Sequence, residues 1–289
     1  MVEGLPEIDR VEQVCDGCTL GKQHRKPFPQ QSSFRASRGL ELVHADLCGK
    51  ISPPTPGGKQ YFLHVVDDHS RYMWVELLKA KDEALQYFKK IKQQAELECG
   101  KKMKAMRTDR GGEFNSNLFT VFTNNIGIKH YTTTAYSPQQ NGVVERRNQT
   151  IVEMARCLLK SKDVPPRFWG EAVVTAVFIL NRAPTKSLQN MTPYEAWHGK
   201  KPRVDHMKTF GCVAHVKKVG PGITKLSDRS TKMVFLGYES GTKGYRVFDP
   251  VNNQLHVSRD VVFEEQEKWN WDTPRSSGQA KTESFIIDL

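Results

Sequence analysis

The sequence predicts an α/β fold with a mixed sheet, followed by a small all-β domain, and three observations support this prediction. Three apolar runs of strand length come first, at 40–47, 61–66 and 72–78. Amphipathic helical segments then alternate with further strands, an order typical of a sheet covered by helices. Beyond about residue 208, five short strand segments follow one another at close spacing, which is typical of a small β-barrel.

Local residue patterns delimit each element of the α/β part. A Pro- and Gly-rich stretch at 53–58 separates the first two strands, and a polar turn at 68–70 precedes the third. Apolar residues at helical spacing predict an amphipathic helix over 82–97, with Asp82 near its start. The later segments are predicted as a strand at 103–107, a helix at 115–125, a strand at 128–132, and helices at 143–159 and 168–180.

The small β part is predicted to consist of five strands and to be followed by a polar tail from Lys268. The strands are placed at 213–216, 233–238, 245–249, 254–257 and 261–263.

Composition and charge narrow the classes of protein to which the chain can belong. With 38% hydrophobic residues in 289, the chain can bury a core, which excludes wholesale disorder. No apolar run approaches the roughly 20 residues of a membrane span, and the first residues lack a signal-peptide pattern, so we expect a soluble intracellular protein.

The net charge is +11, and a local excess of +7 comes from nine basic and two acidic residues between Lys200 and Lys232. This excess favours a nucleic-acid surface over a merely solvated basic face.

The six cysteines divide into a pair and four single residues. Without a signal peptide, a disulfide framework is disfavoured. Cys48, Cys99, Cys157 and Cys212 lie in apolar or amphipathic segments and are predicted to be buried free thiols. Cys15 and Cys18 form a Cys-x-x-Cys pair near the N-terminus.

Three carboxylates occupy positions at which they could converge. Asp46 lies within the first strand, Asp109 ends the fourth, and Glu145 begins the long helix. If these strands are neighbours and the helix crosses their ends, the three side chains could hold Mg²⁺ or Mn²⁺, which prefer oxygen ligands. Spacing alone leaves the alternative that Asp109 forms a turn and Glu145 is an ordinary acid at a helix N-terminus.

Several motifs together resemble the integrase core of Copia-type long-terminal-repeat retrotransposons of plants. Thirty-five residues separate Asp109 from Glu145, as in the D,D-35-E signature of retroviral integrases. The resemblance covers about residues 15–265. Its motifs are HAD at 44–46, VVDDHSR at 65–71, TDRGGEF at 108–114, YSPQQNGVVER at 136–146, NRAP at 181–184 and TPYE at 192–195.

The resemblance implies a ribonuclease-H-like core over 39–200 in which Asp46, Asp109 and Glu145 hold two divalent ions. One ion would activate the attacking oxygen, from water or from a DNA 3′-hydroxyl, and the other would stabilise the leaving 3′ oxygen. The segment 136–142 matches the mobile loop that touches DNA in this family, so Tyr136, Gln140 and Asn141 are predicted DNA contacts, with simple loop packing as the alternative.

The resemblance also implies an SH3-like barrel over 208–266, followed by a tail at 267–289. Lys217, Lys218 and Lys225 are the predicted DNA contacts of the barrel, and a purely structural cap is the alternative. Residues 1–38 match a linker and part of a zinc module that uses two His followed by two Cys. Cys15 and Cys18 are present, but no His precedes them, so Zn²⁺ binding is disfavoured.

The family implies a polynucleotidyl transferase that joins element DNA 3′ ends to target DNA. DNA is the expected partner, the chain is expected to form homo-oligomers away from membranes, and the expected place of action is the nucleus, with cytoplasmic particles before import. Two alternatives remain: a catalytically silent nucleic-acid-binding remnant, and a ribonuclease H acting on RNA:DNA hybrids, which the 136–142 loop and the 35-residue spacing disfavour.

Overall fold

The computed structural model of the chain describes residues 34–132, 142–218, 226–272 and 286–287. The chain divides into two compact units, Met1–Phe34 and Arg35–Leu289. All elements described below belong to the second unit. Within the described ranges, none of the helices has the length and apolar character needed to span a bilayer.

Five strands form a mixed sheet in the first half of this unit, which confirms the predicted fold class. They are β1 (Val43–Cys48), β3 (Tyr61–Asp67), β4 (Met73–Leu78), β5 (Ala105–Thr108) and β6 (Lys129–Thr132), in the spatial order β4-β3-β1-β5-β6. The strand β3 is antiparallel to its neighbours β1 and β4, whereas β5 is parallel to its neighbours β1 and β6. The short strand β2 (Ile51–Ser52) lies outside this sheet.

Five α-helices accompany the sheet within the described residues. They are α1 (Ala84–Cys99), α2 (Asn117–Asn125), α3 (Gly142–Ser161), α4 (Trp169–Arg182) and α5 (Pro193–His198). A 3₁₀ turn at Lys81–Glu83 leads into α1, and Gly100 ends that helix in the left-handed conformation. The predicted helix at 82–97 therefore exists, although its first residues form the 3₁₀ turn.

The alternation of side chains along β3 distributes the helices over both faces of the sheet. Phe62 and Val66 pack into a hydrophobic cluster that includes residues of α3 and α4. Leu63 and Val65 pack into a second cluster with residues of α1 and α2. Because strand side chains alternate between faces, His64 points to the same side as Phe62 and Val66, towards α3. This geometry brings α3 over the central strands.

Five antiparallel strands form a second sheet with a core of its own. They are β7 (Cys212–Lys217), β8 (Ser230–Tyr238), β9 (Tyr245–Asp249), β10 (Gln254–Ser258) and β11 (Val261–Lys268), in the order β10-β9-β8-β7-β11. Each neighbouring pair is antiparallel. Buried Ala214, Phe235 and Val247 contribute to the core of this sheet.

The second sheet is fastened to α4 by apolar and ionic contacts. Val234, Leu236 and Phe248 belong to the same buried cluster as residues of α3 and α4. Beside it, the Arg246 guanidinium donates two hydrogen bonds of 2.8 Å to the Glu171 carboxylate. A bidentate pair of this kind is geometrically specific. The two sheets therefore share one buried cluster through α3 and α4, in addition to the separate core of the second sheet.

Some predicted boundaries were wrong, for local reasons. The first strand begins at Val43 and not at residue 40, because Leu40 has a positive φ of 59° and cannot continue a strand. The short elements β2 and α5 were not predicted. The predicted polar tail contains one short strand that was not predicted, β12 (Ile286–Ile287), which pairs antiparallel with β2.

The prediction of four buried thiols holds for only two of them. Cys48 and Cys212 are buried, whereas Cys99 is only partly buried and Cys157 is exposed. Cys157 lies on α3 between Ala155 and Leu159, and both of these face the core. The presence of a cysteine in an amphipathic helix therefore does not show whether its thiol lies on the buried or on the exposed face.

The junction between the second sheet and α4 gives the first testable prediction. Gly237 has a φ of +142°, and a Cβ there would lie 2.6 Å from Thr175 Oγ1. Gly237→Ala is therefore expected to lower the free energy of unfolding by about 2–4 kcal/mol through strain and overpacking. The control Gly241→Ala, at φ +73° with open space around it, should cost only about 1 kcal/mol.

Urea unfolding followed by tryptophan fluorescence would measure both variants. Because the two sheets share one core, we expect a single transition in each protein. An early, separate transition of the second sheet in Gly237→Ala would contradict the shared core.

Candidate functional site

The three predicted carboxylates come from three different elements that meet at one edge of the mixed sheet. Asp46 is in β1, Asp109 directly follows β5, and Glu145 is in the first turn of α3. Because β1 and β5 are parallel neighbours, their carboxyl ends lie at the same edge. Asp46 and Asp109 are partly exposed, and Glu145 is exposed.

The charges of these carboxylates act on one another. Burial, then the negative charge of Asp109 and, more weakly, that of Glu145 together raise the pKa of Asp46 to about 7. Burial and the charge of Asp109 likewise raise the pKa of Glu145. Two carboxylates that share a small volume disfavour each other's ionisation. The site is therefore one at which negative charge is unstable unless a cation compensates it.

A chain of two hydrogen bonds fixes the orientation of Asp46. The Asn148 side-chain Nδ2 donates to Asp46 Oδ2 over 2.6 Å, and Asn148 Oδ1 is 2.8 Å from His64 Nδ1. The ionised Asp46 carboxylate can only accept, so in that state the amide nitrogen of Asn148 faces it and the amide oxygen faces His64. His64 therefore donates through Nδ1–H.

Burial keeps His64 neutral. The ring is fully buried, and desolvation lowers its pKa to about 4. A neutral ring has one N–H, and Asn148 accepts it, while Nε2 has no hydrogen-bond partner among the described residues. The Asp46 carboxylate is thus held by Asn148 at Oδ2, and the Leu47 backbone also donates a hydrogen bond to it.

Asp109 is oriented by its own turn. Its Oδ1 accepts a hydrogen bond of 3.0 Å from the backbone N–H of Gly111. The preceding Thr108 donates through Oγ1 to the Asp109 carbonyl at 2.8 Å, and that hydroxyl also lies 2.9 Å from His130 Nε2. These contacts hold the residue at the end of β5 while one carboxylate oxygen is occupied by the backbone.

The donor atoms suit a divalent cation, but the described residues do not form a closed metal site. Carboxylate oxygens are the ligands that Mg²⁺ and Mn²⁺ prefer, and the mutual repulsion of the three carboxylates would be relieved by a bound cation. Nevertheless, in the part of the chain that the structure describes, no three His, Cys, Asp or Glu side chains are grouped closely enough to hold an ion. Ion binding at Asp46, Asp109 and Glu145 would require these side chains to draw together.

The other predicted site residues fall into two groups. Lys217, at the end of β7, and the following Lys218 are exposed. Tyr136, Gln140, Asn141, Lys225, Cys15 and Cys18 lie outside the described residues.

Sequence reasoning missed His64 and Asn148. Asn148 is three residues after Glu145 and therefore lies on nearly the same face of α3, a spacing that could have pointed to it. No sequence signal identified His64, because its role depends on the register that places it opposite Asp46 in the β1–β3 pair.

Two protein families match separate parts of the chain. The integrase core domain matches residues 36–138, and the retroviral polymerase SH3-like domain matches residues 211–277. The first match contains Asp46 and Asp109, and the second contains the second sheet.

The chain is also similar to curated proteins of plants. It is 44% identical over 255 residues to the retrovirus-related Pol polyprotein from transposon TNT 1-94 of Nicotiana tabacum, covering 88% of this chain and 19% of that protein. It is 32% identical over 252 residues to the retrovirus-related Pol polyprotein from transposon RE1 of Arabidopsis thaliana, covering 87% of this chain and 17% of that protein. The chain thus spans only a small part of these relatives.

Among solved structures, a chain of the simian T-cell lymphotropic virus intasome, solved in complex with a PP2A regulatory subunit, shares the fold. The TM-score is 0.51 at 18% sequence identity, and the match covers 84% of each chain.

The raised pKa of Asp46 predicts a particular pH dependence of stability. Because the folded-state pKa is about 7 against an ordinary 3.8, the folded protein binds more protons than the unfolded chain between these values. Stability should therefore fall as the pH rises through this range. Asp46→Asn removes the buried charge and should raise the free energy of unfolding by about 1–4 kcal/mol at pH 8, with no gain near pH 4.

Denaturant unfolding without divalent ions at several pH values would measure this difference. The control Asp82→Asn changes an exposed carboxylate far along the chain. If the free energies of unfolding of Asp46→Asn and the parent differ by the same amount at every pH, the pKa of Asp46 is not raised in the folded protein.

Proposed function

This chain belongs with the integrase region of Copia-type retrotransposon Pol polyproteins, and we propose on this premise that it is a metal-dependent polynucleotidyl transferase. The chain carries the integrase core domain and the SH3-like domain. The proposed reaction joins the 3′ ends of element DNA to target DNA. The observation that carries the proposal is that burial and the negative charge of Asp109 raise the pKa of both Asp46 and Glu145 at one edge of the sheet.

Each carboxylate has a role in this proposal. Mg²⁺ or Mn²⁺ bound there, as two ions, would supply the Lewis acidity for in-line displacement at phosphorus. Asp46, oriented by the hydrogen bonds from Asn148 and the Leu47 backbone, would be one ligand. Glu145 is exposed at the first turn of α3 and is the most free to move towards the other two. Asp46 would have to lose its proton when an ion binds, so ion binding should weaken below about pH 7.

DNA binding is proposed for the basic surface of the chain. The net charge of +11 and the exposure of Lys217 and Lys218 support electrostatic contact with phosphates. Tyr136, Gln140, Asn141 and Lys225 are proposed as further contacts on the strength of the sequence motifs. Homo-oligomeric assembly and action in the nucleus remain parts of the proposal.

A second candidate function is a nucleic-acid-binding protein without catalytic activity. It is favoured by the finding that, among the described residues, the carboxylates are not grouped as a metal site. This candidate predicts DNA binding without metal-dependent chemistry, so one assay separates the two.

A disintegration assay would test the catalytic proposal. A branched DNA that mimics the strand-transfer product would be incubated with the protein and Mn²⁺ or Mg²⁺. The parent protein and the control Asp82→Asn are expected to resolve the branch. Asp109→Asn should reduce the rate at least about 1,000-fold, because it removes a proposed ion ligand.

DNA affinity should remain intact or rise slightly in Asp109→Asn, since a negative charge is lost. If the parent protein binds DNA but does not resolve the branch with either ion, the non-catalytic candidate is correct. A parallel loss of binding and activity in Asp109→Asn would instead assign a structural role to Asp109.

Asn148 is proposed as a positioning residue that acts through Asp46. Asn148→Ala should raise the Mn²⁺ concentration for half-maximal activity about 10- to 100-fold, because Asp46 loses the bond that orients it. The control Gln149→Ala changes the next residue of α3, which bonds Glu153 on the exposed side of the helix. A lower maximal rate with an unchanged Mn²⁺ requirement would contradict positioning and indicate a structural role.

A further inference from the structure

The outer strand β10 of the second sheet has an unpaired edge among the described residues. The strand pairs only with β9, over five consecutive residue pairs from Gln254–Asp249 to Ser258–Tyr245, and this register contains no bulge. Its sequence, Gln-Leu-His-Val-Ser, contains no proline, carboxylate, lysine or arginine. An edge strand of this kind presents a row of backbone N–H and C=O groups with which another strand can pair.

The other edges of the two five-stranded sheets carry features that oppose such pairing. At β4, the Asn181 side chain donates to the Met73 carbonyl and accepts from the Met73 N–H, both at 2.9 Å, so it takes the place of a neighbouring strand. The strand β6 begins with the exposed Lys129. The strand β11 has an irregular register between Glu264 and Lys268 and is rich in charged residues. Charged side chains, bulges and groups that cover the edge are the usual protection, and the described residues provide none of them at β10.

Exposed apolar side chains accompany the unpaired edge. Leu255 and Val257 of β10 are 40% and 51% exposed, and Val251 in the preceding turn is 79% exposed. Because Leu255 and Val257 are two residues apart, they lie on the same face of the strand. Apolar side chains that face each other across neighbouring strands stabilise a sheet. A strand that pairs with β10 and has an apolar residue at every second position would therefore cover both side chains.

An open cleft of about 500 Å³ lies at the C-terminal end of β10. Its lining includes Val257 and two cations, Lys243 and Arg259, but no carboxylate. Lys243 forms no ion pair with a described residue, and Arg259 has a single one, to the Asp260 carboxylate at 3.9 Å. Gly244 also lines the cleft, and a Cβ there would lie 2.6 Å from Cγ1 of Val257. The cleft thus places uncompensated positive charge beside an apolar side chain of the strand edge.

The charges around β10 favour an acidic peptide over a second copy of the chain and over DNA. In an antiparallel pair of two β10 strands centred on His256, Arg259 would lie opposite Asn253 of the second copy, so the cations of the cleft would still lack a carboxylate. DNA could supply phosphates to Lys243 and Arg259, but it could neither pair with the backbone of the edge nor cover the apolar side chains. An acidic, partly apolar strand satisfies all three features of this surface.

We propose that β10 and the adjoining cleft bind an extended acidic peptide of a partner protein by strand addition. The peptide extends the second sheet by one strand, and its apolar residues pack beside Leu255 and Val257. A carboxylate of the peptide binds Lys243 and Arg259. In this mode of recognition, backbone hydrogen bonds supply affinity and the side chains beside the strand supply specificity. The proposal goes beyond the proposed function, because it requires neither the three carboxylates nor DNA.

A panel of fluorescein-labelled synthetic peptides tests this surface. Each peptide alternates valine and threonine and carries a pair of aspartates at its N-terminal or its C-terminal end, so that both strand directions are sampled. Fluorescence anisotropy with the full chain, without DNA or divalent ions, would give the Kd of each peptide. We expect one of the two directions to bind, and to bind at least about 10-fold more weakly when lysines replace the aspartates. If no peptide binds at millimolar concentration, the proposal is wrong.

Variants of the chain locate the binding surface. Val257→Ser should weaken binding of the peptide roughly 3- to 10-fold, because an apolar contact is lost. Its matched control is Val262→Ser, since Val262 is 70% exposed on β11 at the opposite edge of the same sheet. Arg259→Gln should reduce the salt dependence of peptide binding, whereas Lys104→Gln, at an exposed position before β5, should leave it unchanged. Equal losses in a variant and its control would overturn the assignment to β10.

N-methylation of the peptide separates strand addition from contact through side chains alone. Along a strand, alternate residues direct their N–H groups towards the same neighbour. Methylation of one alternate set of N–H groups should therefore abolish binding, whereas methylation of the other set should change the Kd by less than about 3-fold. An equal effect of both sets would show that the peptide does not pair with the edge, and the proposal would fail.

The other two occupants of this surface give different results. A second copy would appear in light scattering as a dimer that is lost in Val257→Ser and kept in Val262→Ser. A DNA surface would appear as weaker binding of a labelled duplex to Arg259→Gln, with no binding of the peptides. Either result would overturn the proposal. Peptide binding together with an inactive disintegration assay would support it and reject only the catalytic function, so the two failures can be told apart.

Discussion

The burial of a carboxylate in the central strand of the mixed sheet is the constraint on which the rest of the site depends. Asp46 lies in β1, between β3 and β5, where an ionised side chain is costly. The structure offsets this cost in part with hydrogen bonds from the Leu47 backbone and from one side-chain amide, that of Asn148. Because Asn148 belongs to α3, the hydrogen bond fixes the position of α3 along β1. The same helix carries Glu145, so the position of Glu145 is fixed as well.

The position of α3 depends in turn on packing farther from the site. Ile151 and Ala155 of α3 are fully buried in the cluster that also contains Val173 and Ala176 of α4. The second sheet closes this cluster from the other side. A chain of contacts therefore leads from the second sheet through two helices to the carboxylates, and the position of Asp46 Oδ1 is set by a core that extends well beyond the site.

The sequence was sufficient for the fold class and for the elements that carry the three carboxylates, because these depend on local patterns. A continuous apolar run identifies β3, and helical periodicity identifies α3. What could not be predicted depends on contacts between distant residues. His64 acquires a role only through the register that places it opposite Asp46, and the hydrogen bond from Arg147 to Thr185 joins residues 38 positions apart in the chain. Local patterns also fail in one place, because Leu40 lies in an apolar run of strand length and yet has a left-handed backbone conformation.

The bidentate contact between Arg246 and Glu171 has a consequence for how such proteins can be recombined. Side chains of the SH3-like domain pack against α4 and form hydrogen bonds with it. The domain is therefore not an independent module that can be exchanged at the connecting segment. A chimera that takes this domain from a relative would also have to take the matching surface of α4. For the same reason, we expect substitutions in the second sheet and in the surface of α4 that it contacts to occur together in related proteins.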